Sequence, residues 1–371
     1  MSTSPDDPTG SIRLLVRILR QDAEGIRRCL EERRDVLDEL AAVALDGGLS
    51  VALLRALAGS GLTQQLSEKH QVALADRRDR QATRYAVLEK GLARVASMFE
   101  AVELPFMLLK GPYLAARFYG APQGREFVDV DLLIPRAHRR RAFGILEDAG
   151  FARRSRVLGS EALTTFFVHG FDFVADGVNL DLHWSLSRHP SFRVDESRIW
   201  ERKGVFVLGK RSYAVLSDED EVTLGVLALL RDIARGRPKI KNVVDLIQVV
   251  ATIDPTMAWD ALFASSRGNG TYGPLVNVLS LCLDVADAHD LAPRVAATLA
   301  RHAGRRVRSA PAGGALCVPR ARTRFANTLW AARSHDAALG SWIVWWAVSL
   351  PFRRFVHGWR RPVAGRDAAT L

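Results

Sequence analysis

Residues 104–131 read LPFMLLKGPYLAARFYGAPQGREFVDVD. The stretch opens on an apolar run, residues 106–109, that stops at Lys110-Gly111. It leads into a second apolar run, residues 127–134, broken only by Asp129 and Asp131. The second run predicts a strand. Alternate side chains of a strand share a face, so the two carboxylates are expected side by side while Val130, Leu132 and Ile134 face a core. Between the runs, residues 112–119 suit a short helix and residues 120–124 a loop. Two neighbouring carboxylates on a rigid strand make a site for a divalent metal.

Working toward the N-terminus, the pattern is helical from residue 11 to 102. Leu14, Leu15, Ile18 and Leu19 share one face, and Leu37, Leu40, Ala41 and Val43 continue the stripe. Gly47-Gly48 and residues 59–61 mark turns. Residues 67–100 predict one long helix with Val72, Leu74, Leu88, Leu92, Val95 and Met98 inward. Arg77, Arg78, Arg80, Arg84 and Arg94 lie on its solvated face. Residues 1–10 read as a loose tail.

Toward the C-terminus, residues 136–150 predict a basic amphipathic helix with Ala142, Ile145, Leu146 and Ala149 inward and Gly150 as its stop. Residues 163–174, with Phe166, Phe167, Phe171 and Phe173, read as a strand. The Asp176-Gly177 turn then predicts a hairpin to residues 178–184, VNLDLHW. In that strand Asn179, Asp181 and His183 share one face, and Leu180, Leu182 and Trp184 the other. Asp181 is therefore a third carboxylate delivered on a strand. Residues 205–208 and 213–216 suggest a further hairpin. After Ser217, an N-cap before Asp218-Glu219-Asp220, helices are expected over 221–235, 240–252, 256–266, 274–288 and 293–302. Lys241 and Asp245, four apart, predict an exposed ion pair, with contact of Lys241 to a nucleotide as the lesser alternative.

Bulk properties narrow the class. The 371 residues are 48% hydrophobic and 25% charged, which describes a folding chain rather than a disordered one. A net charge of +11 favours polyanions, but the basic residues are scattered, as in Arg139-Arg140-Arg141, and read first as a solvated basic surface. Cys29, Cys282 and Cys317 follow no metal-ligand spacing and point to reduced thiols in the cytoplasm. The acidic, polar start is not a secretory signal. The longest apolar stretch, residues 342–350, falls short of the ~20 residues that span a bilayer, so no transmembrane helix is expected.

Three carboxylates on neighbouring strands can hold two Mg²⁺ ions roughly 3.5–4 Å apart, an arrangement that stabilises the attacking and leaving oxygens of an in-line phosphoryl displacement. The third carboxylate can take the proton of the attacking hydroxyl. That is nucleotidyl-transfer chemistry. The ordered set LLKGPYLAARFYG, Arg125, Asp129-Val130-Asp131-Leu132-Leu133-Ile134, Asp148-Ala149-Gly150-Phe151 and LDLHW resembles a family of uncharacterised bacterial nucleotidyltransferases in the polymerase-β-like superfamily.

The resemblance runs from about Val87 through the helix carrying Asp245 and more weakly to residues 350–351 and 361–362. It implies that Asp129, Asp131 and Asp181 bind metal, with Asp181 also a candidate base. It implies that Lys110 and Gly111 hold the triphosphate of an NTP, and that Arg125 contacts phosphate or braces the carboxylates. Two positions depart from the pattern. Val128 stands where the family often has a small polar residue, and residues 231–235 lie where a histidine is expected.

The expected fold class is α+β, a small mixed-sheet nucleotidyltransferase core over residues 104–216 flanked by helical regions. These regions are 11–103 before it and 217–303 after it, followed by a basic loop, 304–324, and Trp-rich helices, 325–371. There Trp342, Trp345, Trp346, Phe352, Phe355 and Trp359 alternate with arginines, which suits packing on the helical region or, as a second reading, weak peripheral contact with a membrane. The expected activity is Mg²⁺-dependent transfer of an NMP group from an NTP to an unidentified acceptor: a small molecule, sugar, peptide, protein or RNA end. The alternatives are a non-catalytic nucleotide- or partner-binding module on the same fold and a metal-dependent glycosyltransferase, which also uses Asp-x-Asp.

Overall fold

The structure, a computed structural model, describes residues 8–32, 36–155, 164–165, 168–187, 189, 191–235, 238–302, 330–331 and 333–334. The expected basic loop 304–324, nearly all of the Trp-rich segment, Cys317, Phe166 and Phe167 lie outside the described residues.

The N-terminal part is a helical array: α1 (Pro8–Leu19), α2 (Ala23–Glu32), α3 (Val36–Gly47) and α4 (Ser50–Gly59). The first helix begins at Pro8, three residues before the expected start. The array packs with α9 (Asp218–Ala234), α10 (Ile240–Ile253), α11 (Trp259–Asn269), α12 (Tyr272–Ala286) and α13 (Pro293–Arg301) around one apolar core. Ser217 caps α9, its hydroxyl accepting from the Asp220 amide.

The long helix α5 (Glu68–Glu100) joins two cores. Leu74 enters the helical core, whereas Leu88, Leu92, Val95, Ala96 and Phe99, at helical spacing, pack onto a sheet. Val72, expected inward, is 62% exposed. On the solvated face Arg80 pairs with Asp76, and Arg94 pairs with Asp176.

The sheet has the strand order β1 (Met107–Leu108), β2 (Val130–Leu133), β5 (Val178–His183), β4 (Gly170–Ala175), β3 (Ala152–Arg153). Only β2 and β5 run parallel; the other three pairings are antiparallel. Helices α6 (Gly111–Tyr119) and α7 (Arg139–Asp148) pack with α5 around its apolar face, where Phe143, Phe171, Phe173 and Trp184 meet. A short helix α8 (Glu196–Glu201) precedes a two-stranded ribbon, β6 (Gly204–Leu208) with β7 (Arg211–Val215), which forms its own sheet against β1. The result is an α+β fold around a small mixed sheet.

The β4–β5 hairpin turns through Asp176 and Gly177, both at positive φ (49° and 76°), as the tight turn of a two-residue loop requires. Two strand expectations shrink. Among the described residues of the run 163–174 the strand begins at Gly170, and Thr164 and Thr165 are helical, with the Val168 amide bonded to the Thr164 carbonyl. A short aromatic run carries no periodicity that separates strand from buried helix. The run 127–134 is a strand only over Val130–Leu133, because the preceding backbone bonds elsewhere: Lys241 Nζ donates to the Glu126 carbonyl and Asn179 Nδ2 to the Val128 carbonyl. Among the described residues no helix is long and apolar enough to cross a membrane.

Candidate active site

The parallel pairing of β2 with β5 sets Asp131 directly opposite Asp181 and Leu133 opposite His183. Alternation then does what the sequence implied. Leu180 and Leu182 are buried in the sheet core while Asn179, Asp181 and His183 line the other face. Asp131, Asp181 and His183 each offer a ligand atom, and these atoms lie within 4.8 Å of one another. His183 Nε2 stands 3.1 Å from Asp131 Oδ1 and 3.4 Å from Asp181 Oδ2, so the imidazole bridges the two carboxylates. Burial opposes a charge on His183, but the facing Asp181 and the hydrogen bond to Asp131 prevail and raise its pKa.

Asp129 lies one residue before β2 and does not share that cluster of three. Its carboxyl is nonetheless pushed up to about 6, by burial first and then by the negative charges of Asp131 and Asp181. Asp131 goes the opposite way. Burial alone would raise it, yet the His183 hydrogen bond, Lys110 and Arg125 together hold it below the usual carboxylate range.

The Lys110-Gly111 turn sits against this carboxylate face. The Leu109 amide bonds to the Asp131 carbonyl, which carries β1 directly into the turn. Gly111 has φ +58°, and a Cβ there would come 3.3 Å from the Asp129 carbonyl, so glycine serves both the left-handed backbone and the close approach. Helix α6 begins at that glycine with Pro112 in its first turn, placing an N-terminus with unpaired amides next to the carboxylates.

Arg125 is 5% exposed, and its guanidinium is held by the carboxylate of Asp245 on α10, Nε to Oδ1 at 2.6 Å and Nη2 to Oδ2 at 2.5 Å. Tyr119 donates to the same Oδ1 at 2.6 Å. The expected exposed Lys241–Asp245 pair is thus overturned: Asp245 is buried and belongs to Arg125, and Lys241 bonds to the Glu126 carbonyl instead. Burial and the neighbouring Arg125 push the Lys241 amine down to about 8. Lys241 and Lys110 are the lysines whose charges act on Asp129.

Three residues of this region escaped the sequence reading as contributors. His183, two residues after Asp181, shares the face that alternation gives the carboxylate, but nothing in the sequence assigns it a part in the cluster. Gly170 is opposite His183 in the hairpin, and a Cβ there would stand 2.8 Å from His183 Nδ1 and 3.1 Å from Asp181 Oδ1. Glycine is the residue that leaves space for both. Glu221, in the first turn of α9, is 3% exposed, and its Oε2 has no hydrogen-bond partner. Burial pushes its carboxyl up to about 7 against the pull of Lys110 and Arg117. Nothing in its local sequence marks it.

No curated protein matches this sequence. Among solved structures, the solution structure of the antibiotic-resistance factor ANT(2″)-Ia is similar at 15% identity and a TM-score of 0.34, over 51% of this chain and 93% of that one. Residues 35–282, most of the chain and the whole of the region just described, match the family termed uncharacterised nucleotidyltransferase. The chain belongs to this nucleotidyltransferase family.

Proposed function

We propose that the protein is a Mg²⁺-dependent nucleotidyltransferase that moves an NMP group from an NTP to a hydroxyl or amine of an acceptor, releasing pyrophosphate. The observation that carries the reading is the pairing of Asp131 with Asp181 on adjacent parallel strands, on one face, beside the Lys110-Gly111 turn. The donor set fits a hard divalent cation. Two carboxylates within ligand distance of each other supply the oxygens that Mg²⁺ prefers, and Asp129 is disfavoured as an anion by burial and then by the charges of Asp131 and Asp181, which a cation would relieve. Asp129, Asp131 and Asp181 would hold the metal. When bound there, a divalent ion neutralises charge on the transferring phosphate and activates the attacking oxygen.

The protein's own groups account for the other requirements. Lys110 and the amides at the start of α6 take the phosphates of the donor, which a helix N-terminus favours. Gly111 keeps the backbone low enough for that approach. Asp181, the more solvent-facing carboxylate of the bridged pair, accepts the proton of the acceptor as its oxygen or nitrogen attacks the α-phosphorus and the bond to pyrophosphate breaks. Arg125 braces the segment leading into Asp129 and adds positive charge toward Asp131, a role fixed by Asp245. The three dispersed cysteines are in keeping with action in the cytoplasm.

Purified protein incubated with each α-³²P-labelled NTP, Mg²⁺ and a panel of sugar, peptide, protein and RNA acceptors should transfer label to one of them. Asp129→Ala and Asp131→Ala should each abolish the transfer. Undiminished transfer by both variants sinks the assignment. A second reading is favoured by one feature: His183 already bridges Asp131 and Asp181, so the cluster is partly neutralised without any cation. A non-catalytic module would bind NTP with the same affinity in EDTA as in Mg²⁺, and calorimetry separates the two.

A further inference from the structure

Between α1, α4, α6 and α10, and away from the carboxylate face, lies a cavity of 270 Å³. Leu19, Ala56 and Phe118 form an apolar wall, and its polar lining includes Arg20, Arg55 and Gln248. All three present hydrogen-bond donors to it. Arg20 Nη1 donates to Gln248 Oε1 at 3.4 Å and to Thr252 Oγ1 at 3.0 Å, both neutral acceptors, and burial disfavours its charge with no carboxylate to offset it. Arg55 forms no hydrogen bond or ion pair with a described residue. Its guanidinium lies over the loop 120–124, where a Cβ on Gly124 would stand 2.7 Å from Nη1. Gln248 is 2% exposed; Arg20 occupies its Oε1, and its Nε2 has no partner.

The two charged groups of this lining, Arg20 and Arg55, are both cations, and the buried donor without a partner, Gln248 Nε2, stands with them. A buried donor left unpaired, as Gln248 Nε2 is, disfavours the empty site. The missing component is an acceptor with about two negative charges. A carboxylate brings one charge and two oxygens, whereas a phosphomonoester brings a charge of about −1.5 to −2 and three strong acceptor oxygens. Guanidinium forks suit that geometry.

We propose that this cavity binds the phosphate of a small phosphomonoester between Arg20, Arg55 and the Gln248 amide, with the apolar body of the ligand against Leu19, Ala56 and Phe118. The site is independent of the carboxylate face but not isolated from it. Tyr119 lines the cavity and donates to Asp245 Oδ1, the oxygen that also receives Arg125 Nε. Gly124, also in the lining, is the residue before Arg125. An occupant that presses on Arg55 thus bears on the segment that leads into Asp129.

Calorimetric titration of the full chain in EDTA at fixed ionic strength tests this, with phenyl phosphate, inorganic phosphate and benzoate as probes. The expected result is saturable one-site binding of phenyl phosphate, at least tenfold tighter than benzoate. Binding should weaken at least tenfold in Arg55→Ala and in Gln248→Leu and stay unchanged in Asp131→Asn. Inorganic phosphate should compete for the same site with lower affinity, for want of the apolar body. Arg55 is exposed at the rim, so its alanine variant tests the site without threatening the core. Unsaturable binding, equal affinity for benzoate, an undiminished Arg55→Ala, or loss in Asp131→Asn overturns the proposal.

Discussion

Replacing Asp245 by Leu should be among the most damaging single substitutions outside the carboxylate face. The change strands the Arg125 guanidinium, which is 5% exposed and donates to both oxygens of Asp245 at 2.5 and 2.6 Å, and it leaves the Tyr119 hydroxyl without its acceptor. Removing one member of a buried pair costs about 3–5 kcal/mol, because the remaining charge has no solvent to stabilise it. Losing the Tyr119 bond adds about 1 kcal/mol. Removing both charges is a different matter, since a buried pair replaced by apolar side chains of similar volume is often neutral in stability. Arg125→Met in the Asp245→Leu background should therefore recover more than half of the loss. Urea unfolding of wild type, both single variants and the double variant, followed by circular dichroism, gives the full cycle. Asp245→Leu within about 1 kcal/mol of wild type, or a double variant as unstable as the sum of the singles, would refute the assignment of Arg125 to Asp245.

Three further outcomes follow from the same geometry. Glu221 has its folded pKa raised from 4.5 to about 7, so its stabilising, protonated state is fully present below pH 4.5 and is lost as pH rises to about 7; at about 1.4 kcal/mol for each pKa unit the loss approaches ~3 kcal/mol. Glu221→Gln should flatten the stability profile across that window, and an unchanged profile counts against the buried acid. Gly170→Ala forces His183 or Asp181 aside, because the new Cβ stands 2.8 Å from His183 Nδ1. It should weaken Mn²⁺ binding measured by paramagnetic resonance about tenfold at a stability cost of ~1–3 kcal/mol, and wild-type affinity for Mn²⁺ would contradict it. Asp254 accepts from Trp259 Nε1 and from the Arg294 and Val295 amides at the start of α13; Asp254→Ala should destabilise by at least ~3 kcal/mol in urea unfolding, and a loss under about 1 kcal/mol would show those bonds to be dispensable.

The sequence was most legible where a local rule acts alone. Alternation placed Asp181 and His183 on one face and Leu180 and Leu182 on the other. Asp176-Gly177 announced the hairpin, and Ser217 the start of α9. What stayed hidden depends on partners far apart in the chain. No local pattern tells that Asp245 reaches Arg125, 120 residues earlier, rather than Lys241 one turn away. The helical rule for residues four apart is worth only a few tenths of a kcal/mol, so a buried guanidinium easily outweighs it. Gly170 was unreadable for the same reason: its smallness matters only because β5 brings His183 opposite it. The helical turn at Thr164 and Thr165 was read as strand because aromatic residues suit both states.

The parallel pairing of β2 with β5 demands a longer loop closure than the hairpin beside it. The β4–β5 hairpin closes over a two-residue turn, the kind of contact that forms within microseconds. Docking β2 must instead close a loop containing α7, β3 and β4, a far larger entropic task. During synthesis Asp129 and Asp131 leave the ribosome well ahead of Asp181, and the two halves of the carboxylate face meet only when that loop closes. A partly folded form that has the hairpin but not the docked β2 would carry Asp181 and His183 on an ordered strand without Asp131 opposite them.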